Sequence, residues 1–239
     1  MAEDVHFSGL REYSAPAAPG RDWLYAAQPP PADTTPSPMT DPRNALRRSL
    51  RQARRDLPAK TRIDAAESVA GQLLSLPFFP RRGHVAGYWA MDGEIALHVW
   101  QMRLPPEVTY CLPVLPADPV NRIDQGLRFA PWRPGAPLVT NRYGIPEPEV
   151  APSELLEPAD MALVVLPLVG FDATGNRLGM GGGWYDRTFA FRRTSAAPPW
   201  LVGAGFACQQ ADQLPSADWD VPLDAVCTER STLLPNGTK

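Results

Sequence analysis

Cysteine is scarce in this chain: three among 239 residues, at positions 111, 208 and 227, far apart and never as a CxxC pair. That excludes a disulfide framework and a zinc knuckle, and a reducing cytoplasm is the compartment expected. Cys111 and Cys208 lie in apolar, strand-like runs and read as buried, inert thiols. Histidine is as rare, and His6, His84 and His98 show neither HExxH nor an i,i+4 pair, which argues against a zinc enzyme. Excess positive charge is also missing. A net charge of -3 does not suit a protein whose main task is to grip nucleic acid or an anionic membrane. No apolar run approaches the roughly 20 residues of a membrane helix, and MAEDVHFSGLREY lacks the apolar segment of a secretory signal.

The chain does have enough apolar residues, 44%, to bury a real core, and its 29 prolines imply long shaped loops. Prolines crowd the first 40 residues, as in PPPADTTPSPMT, where no helical or strand period is sustained. Such a segment buries too little to offset its ordering entropy, so residues 1–40 read as a disordered extension with Trp23, Leu24 and Tyr25 as its docking point. At Asp41 and Pro42 the character changes to a capped helix start. Leu46, Leu50, Ala53 and Leu57 then mark one apolar face, and Arg43, Arg47, Arg51, Arg54 and Arg55 fill the remaining surface. A second helix is expected from Thr61 to Leu76, ended by Pro77.

Strand-like runs follow at His84–Met91, Val108–Leu115, Leu127–Pro131, Met161–Val169, Leu201–Ala207 and Ala225–Cys227. MALVVLPLVGFD is nearly continuous in apolar residues, the mark of a strand covered on both faces. Helices are expected in EIALHVWQMRL and YDRTFAFRR. The fold class is therefore α/β, a three-layer α/β/α domain with a mainly parallel sheet, over residues 41–232, with a flexible tail over 233–239.

One stretch carries chemistry. RLGMGGGWYDR, Arg177 to Arg187, places four glycines in five positions between a core strand and an aromatic-bearing helix. Two readings stand: a mobile linker, or a backbone that an anion approaches closely, and the flanking elements favour a phosphate cradle. Neither the P-loop nor GxGxxG fits, because Gly183 is followed by Trp184.

That stretch, preceded by LPLVGFDATGN, closely resembles the FDxxGxRLGxGxGYYDR signature of the 5-formyltetrahydrofolate cyclo-ligase family. RNALR, YWAMDGEI, NRYGIPEPE and GFACQQADQLPSADWDVPLDAVCTE resemble further family segments in family order, over about residues 42 to 230. Arg43 and Gly182 stand where the family often has lysine, and Trp184 where it has tyrosine. Glycine at 182 resembles a bacterial branch. The proline-rich extension matches nothing in the family pattern.

The resemblance implies ATP-dependent ring closure of 5-formyltetrahydrofolate. The formyl oxygen is phosphorylated, nitrogen 10 attacks, phosphate leaves, and 5,10-methenyltetrahydrofolate forms with ADP. It also implies roles. Arg43 and Arg47, one helical turn apart, would contact the triphosphate of ATP, together with Arg177, Leu178, Gly179, Met180, Gly181, Gly182, Gly183, Trp184 and Tyr185. Arg177 and Tyr185 would act in catalysis. Glu94 would accept N–H donors of the pterin, with Trp89 and Tyr143 beside it. Asp186 and Asp220 would contact Mg2+. Each also has a plain structural reading, and Arg48, Arg51, Arg54 and Arg55 read as a solvated basic face. A cytoplasmic monomer is expected, with neither nucleic acid nor membrane as partner. Two rivals stand: a nucleotide- or folate-binding protein without turnover, motivated by Gly182, and an RNA-binding module using the arginine helix.

Overall fold

The computed structural model describes residues 42–116 and 126–235, so the expected extension, the Asp41 cap and the last four residues lie outside the described residues. In chain order the elements are α1 Pro42–Arg55, α2 Ala59–Leu74, β1 Gly83–Ala86, α3 His98–Met102, β2 Val108–Val114, β3 Arg128–Pro131, β4 Leu138–Thr140, β5 Pro146–Pro148, β6 Met161–Pro167, β7 Gly170–Phe171, β8 Arg177–Leu178, α4 Trp184–Thr188, β9 Trp200–Ala204, β10 Ala225–Cys227 and β11 Thr232–Leu233. Among the described residues no helix is long and apolar enough to cross a membrane.

Seven strands form one sheet in the order β11-β10-β9-β6-β1-β2-β3. The five central strands are parallel, while β3 and β11 add antiparallel edges. The apolar run of β6 follows from its position. Leu163 and Val165 face one side, under Val69 and Leu73 of α2 and Trp100 of α3. Val164 and Leu166 face the other, packed with Cys111, Phe171 and Phe189. Successive side chains point to opposite faces, so a doubly covered strand needs an apolar residue at nearly every position. The expected three-layer α/β domain with a mainly parallel sheet is what the chain forms. Burial pushes the Cys111 thiol up to about 12, in keeping with an inert core residue.

Several expectations are corrected. β1 stops at Ala86 rather than Met91, because Tyr88 turns back to donate to the Ile95 carbonyl at 2.9 Å and closes a loop. Cys208 is exposed in a 3-10 turn, Ala207–Gln209, rather than buried in a strand. Gln209 draws that turn inward by donating to the Leu168 and Val169 carbonyls, both at 2.9 Å, which leaves Cys208 facing out. The helix expected in YDRTFAFRR is split into α4 and a 3-10 turn at Ala190–Arg193.

The strand order reverses at the seam between β1 and β6. The chain leaves β1 for β2 on one side, whereas β6, β9 and β10 extend on the other. In open α/β sheets ligands bind beyond the carboxyl ends of the strands at such a point. Two segments emerge there: the loop from Gly87 to Leu97 after β1, and the β7–β8 hairpin with the glycine stretch after β6. The hairpin is built on Asp172. Its buried carboxylate accepts from the Thr174 N–H at 2.9 Å, the Asn176 N–H at 3.1 Å, the Asn176 side chain at 2.9 Å and the Leu214 N–H at 3.0 Å. Burial alone would raise this carboxyl, but the hydrogen bonds from Asn176, Leu214 and Thr174 outweigh it and hold the group below the ordinary aspartate range. Gly175 makes the turn at φ +84°, where a Cβ would also sit 2.8 Å from the Leu223 carbonyl oxygen.

Gly175→Ala is therefore expected to cost about 1–3 kcal/mol, through backbone strain and that collision, read as a lower urea midpoint. Asp172→Asn is expected to cost about 1–3 kcal/mol at neutral pH. A depressed carboxylate contributes stability above its unfolded value, near about 3.9, and loses it as pH falls through the folded value. The difference between wild type and Asp172→Asn in urea titrations should accordingly shrink as pH is lowered through that window.

Candidate active site

The hairpin ends at Arg177, and the glycine stretch lies against guanidinium groups. A Cβ built on Gly179 would come 2.9 Å from Arg177 Nη1, one on Gly183 2.8 Å from Arg187 Nη1, and one on Gly181 3.6 Å from the Arg47 guanidinium carbon. Gly181 and Gly183 also have φ of +97° and +64°. The glycines thus serve two ends: they allow the left-handed turns, and at 179 and 183 they leave room for Arg177 and Arg187 against the backbone. Arg47 Nε donates to the Gly179 carbonyl at 2.9 Å, and Arg187 Nη2 to the Gly182 carbonyl at 2.9 Å. α4 spans only five residues, so cations rather than a helix dipole supply most of the positive potential here. Arg177 Nε is buried without a hydrogen-bond partner, a donor aimed at nothing within the protein. This donor set fits a polyphosphate.

Two carboxylates hold Arg177 and Arg43 in place. Arg177 Nη2 lies 3.0 Å from both oxygens of Asp186, whose Oδ1 also accepts from the Val221 N–H at 3.3 Å. Arg43 Nη2 donates to Asp220 Oδ2 at 2.5 Å, and the Ala217 N–H reaches the same oxygen at 2.8 Å. Both expected metal contacts therefore flank the residue 220–221 backbone, paired with two of the expected phosphate contacts. Among the described residues no group of three or more His, Cys, Asp or Glu could hold a metal ion. A hard divalent ion on a polyphosphate needs only one or two carboxylates, which this pair can supply. Leu178 packs its side chain with Leu50, Val169 and Leu214, so only its backbone borders the stretch.

The aromatic residues fall into two places. Tyr143, exposed on the turn between β4 and β5, meets Trp184 edge-on with centroids 6.5 Å apart. Arg142 lies 5.5 Å and Arg187 4.8 Å from the Trp184 ring centroid. Asn141 shapes that turn by accepting from the Tyr143 and Ile145 N–H groups at 2.9 and 3.1 Å. Arg142, Arg187 and Thr188 line a cleft of about 1130 Å³ that also takes in Asn141 and Glu147. Trp89 instead packs edge-on to Trp132 at 5.8 Å, across a smaller hollow of about 220 Å³ bordered by Tyr88 and Tyr110. Tyr185 lies under Arg177, 5.6 Å from its guanidinium carbon. Burial, reinforced by the Glu94 charge, pushes the Tyr185 phenol well above its ordinary value, so it stays a neutral hydrogen-bond donor.

Glu94 accepts from the Met91 N–H at 3.0 Å in the loop after β1. Burial raises its carboxyl against the opposing Met91 hydrogen bond and the Arg54 charge. The expectation of a solvated basic face is corrected here for Arg51 and Arg54. Arg51 Nε and Arg54 Nη2 each donate to Asp92 Oδ2 at 2.8 Å, and Arg55 Nε donates to Oδ1 at 2.7 Å. Arg54 is fully buried, while Arg48 and Arg55 are exposed as expected. Asp92 adopts φ 53°, the one described non-glycine residue at positive φ. Burial would raise its carboxyl, but hydrogen bonds from Arg51 and Arg55 outweigh that and hold it low. An arginine surface neutralised in this way is poorly suited to RNA.

Sequence reasoning does not single out Asp92, Arg142 or Arg187. Arg187 closes the glycine stretch itself, and a cation four residues beyond Gly183 was the available signal. Nothing local announces that arginines some 40 residues upstream converge on Asp92.

Known proteins share this architecture. A 5-formyltetrahydrofolate cyclo-ligase from Haemophilus influenzae is 35% identical over 186 residues, 77% of this chain and 96% of that one. One from Mycolicibacterium smegmatis is 32% identical over 193 residues, 79% of this chain and 94% of that one. The NMR structure of Aquifex aeolicus 5,10-methenyltetrahydrofolate synthetase matches with a TM-score of 0.66 at 28% identity, covering 82% of this chain and 94% of that one. The sequence profile of the 5-formyltetrahydrofolate cyclo-ligase family matches residues 39–229, and the chain belongs to that family.

Proposed function

We propose that this protein closes 5-formyltetrahydrofolate to 5,10-methenyltetrahydrofolate, with ATP converted to ADP and phosphate. The observation that carries the reading is the glycine stretch ringed by Arg47, Arg177 and Arg187, beside the loop that bears the part-buried Glu94. An amide oxygen is a weak nucleophile and a poor leaving group, so the protein must align it with the terminal phosphate and neutralise the charge that develops. Arg43, Arg47 and Arg177 hold the triphosphate along the Gly179–Gly183 backbone, and Arg177 remains over the transferring group. Asp186 and Asp220 would hold magnesium, which would neutralise phosphate charge. Glu94 accepts pterin N–H donors, while Trp184 and Tyr143 wall the ring system and Trp89 lines a separate hollow with Trp132. Tyr185, kept neutral by burial, donates toward the phosphorylated oxygen. Nitrogen 10 then attacks the formyl carbon, phosphate departs, and the ring closes. In this reading the enzyme is a cytoplasmic monomer acting on small molecules, its catalytic domain spans about residues 41–232, and residues 1–40 form an appended extension.

Purified protein mixed with 5-formyltetrahydrofolate, ATP and magnesium should produce the ultraviolet absorbance of methenyltetrahydrofolate, and none without ATP. Gly181→Val should lower kcat/KM by about 100-fold or more in a protein that still folds, because a branched side chain at φ +97° displaces both the turn and Arg47. ATP binding without product in the wild type would instead identify a binding protein, and Gly182→Lys would then be the variant to assay.

A further inference from the structure

Arg54 does something that neither phosphate binding nor packing requires. Fully buried, it leaves α1 and crosses the β1–β6 seam. There Nη2 donates to Asp92 at 2.8 Å, Nη1 donates to the Leu168 carbonyl at 3.3 Å, and Nε has no hydrogen-bond partner. Nη1 also lies 3.8 Å from Glu94 Oε1. Burying a cation is costly, and an apolar side chain of similar length would pack there without that cost. Asp92 does not explain the residue, since Arg51 and Arg55 already pair with it. Glu94 does. The charged and titratable groups facing it are Arg54 and Arg51 from α1, Asp92 from its own loop, and the phenols of Tyr88 and Tyr185. Asp92 opposes its charge, and among the described cations Arg54 is the one in ion-pair contact.

We infer that Arg54 is the positioning residue for Glu94: clamped between Asp92 and the Leu168 carbonyl, it fixes the loop after β1 against the exit of β6 and sets a positive charge beside the carboxylate that receives the pterin. The inference rests on the folate reading above. Burial already raises Glu94, and removing Arg54 lets it rise further, so protonation would end folate binding at a higher pH than in the wild type.

The test compares full-length wild type, Arg54→Met, Arg54→Lys and, as a control on the exposed arm of the same cluster, Arg55→Ala. Calorimetry measures 5-formyltetrahydrofolate binding from about pH 5 to 8, and steady-state assays separate the two KM values from kcat. Arg54→Met should weaken folate binding about 10- to 100-fold and move its acid limit upward, with the KM for ATP changed less than about threefold. Arg54→Lys should recover part of both effects, and Arg55→Ala should leave both near wild type. A folded Arg54→Met protein with wild-type folate affinity and acid limit overturns the inference, as does a parallel rise in both KM values. Should Arg54→Met not fold, Arg54→Lys decides by the same readouts: a folate-selective loss with a shifted acid limit supports it, and an unshifted limit overturns it. A wild type that does not bind 5-formyltetrahydrofolate overturns the functional reading and this inference with it, whereas a binding wild type matched by Arg54→Met overturns the inference alone.

Discussion

A buried guanidinium at the seam between β1 and β6 is the contact on which the site depends. Arg54 reaches the Leu168 carbonyl beyond β6 and Asp92 beyond β1, so one side chain joins the two loops that the sheet topology sends to the same edge. Gln209 donates to that Leu168 carbonyl as well, which ties in the turn after β9. Because Arg54 belongs to α1, the helix is fixed relative to all three strand exits. Arg43 and Arg47 then stand near one end of α1, and Arg51 and Arg54 toward the other. At 1.5 Å per residue, Arg43 and Arg54 lie about 16 Å apart along the axis, a span suited to a polyphosphate at one end and a flat ring at the other.

Pairing runs through the whole arrangement. The candidate phosphate arginines Arg43 and Arg177 are held by Asp220 and Asp186, and the arginines nearer Glu94 are held by Asp92. Flexible cations held by part-buried carboxylates lose less freedom when a ligand arrives, and this is how a site of long side chains is preorganised. The same pairs explain how an acidic chain can concentrate arginine on one helix without presenting a basic surface. The glycine stretch completes the arrangement: its backbone accepts from Arg47 and Arg187, and the missing side chains leave room for the guanidinium groups beside it.

Local patterns carried the fold a long way. The doubly apolar run of β6 announces a covered parallel strand, and the 3.6-residue period announces α1 and α2. The glycine stretch and the segments in family order led to Arg43, Arg47, Arg177, Asp186 and Asp220; Arg43 pairs with Asp220, Arg177 pairs with Asp186, and Arg47 donates to the Gly179 carbonyl. What escaped is nonlocal. The fate of Arg51, Arg54 and Arg55 depends on Asp92, some 40 residues away, and helical spacing alone cannot tell a solvated arginine from one that crosses a sheet seam. Cys208 follows an apolar, strand-like run, and only the inward hydrogen bonds of Gln209 turn it outward. Trp89 shares a segment with Glu94, yet it packs on Trp132 rather than on Trp184, because the loop after β1 turns back at Tyr88.

In the proposed function, α1 and the glycine stretch together hold one triphosphate at the carboxyl end of the β1–β6 seam. The most direct measurement is a crystal structure with magnesium and a non-hydrolysable ATP analogue. Phosphate oxygens are expected along the Gly179–Gly183 backbone, within hydrogen-bonding reach of Arg43, Arg47 and Arg177, with the magnesium ion beside Asp186 and Asp220. A nucleotide bound elsewhere, with no phosphate along the Gly179–Gly183 backbone, would overturn this reading.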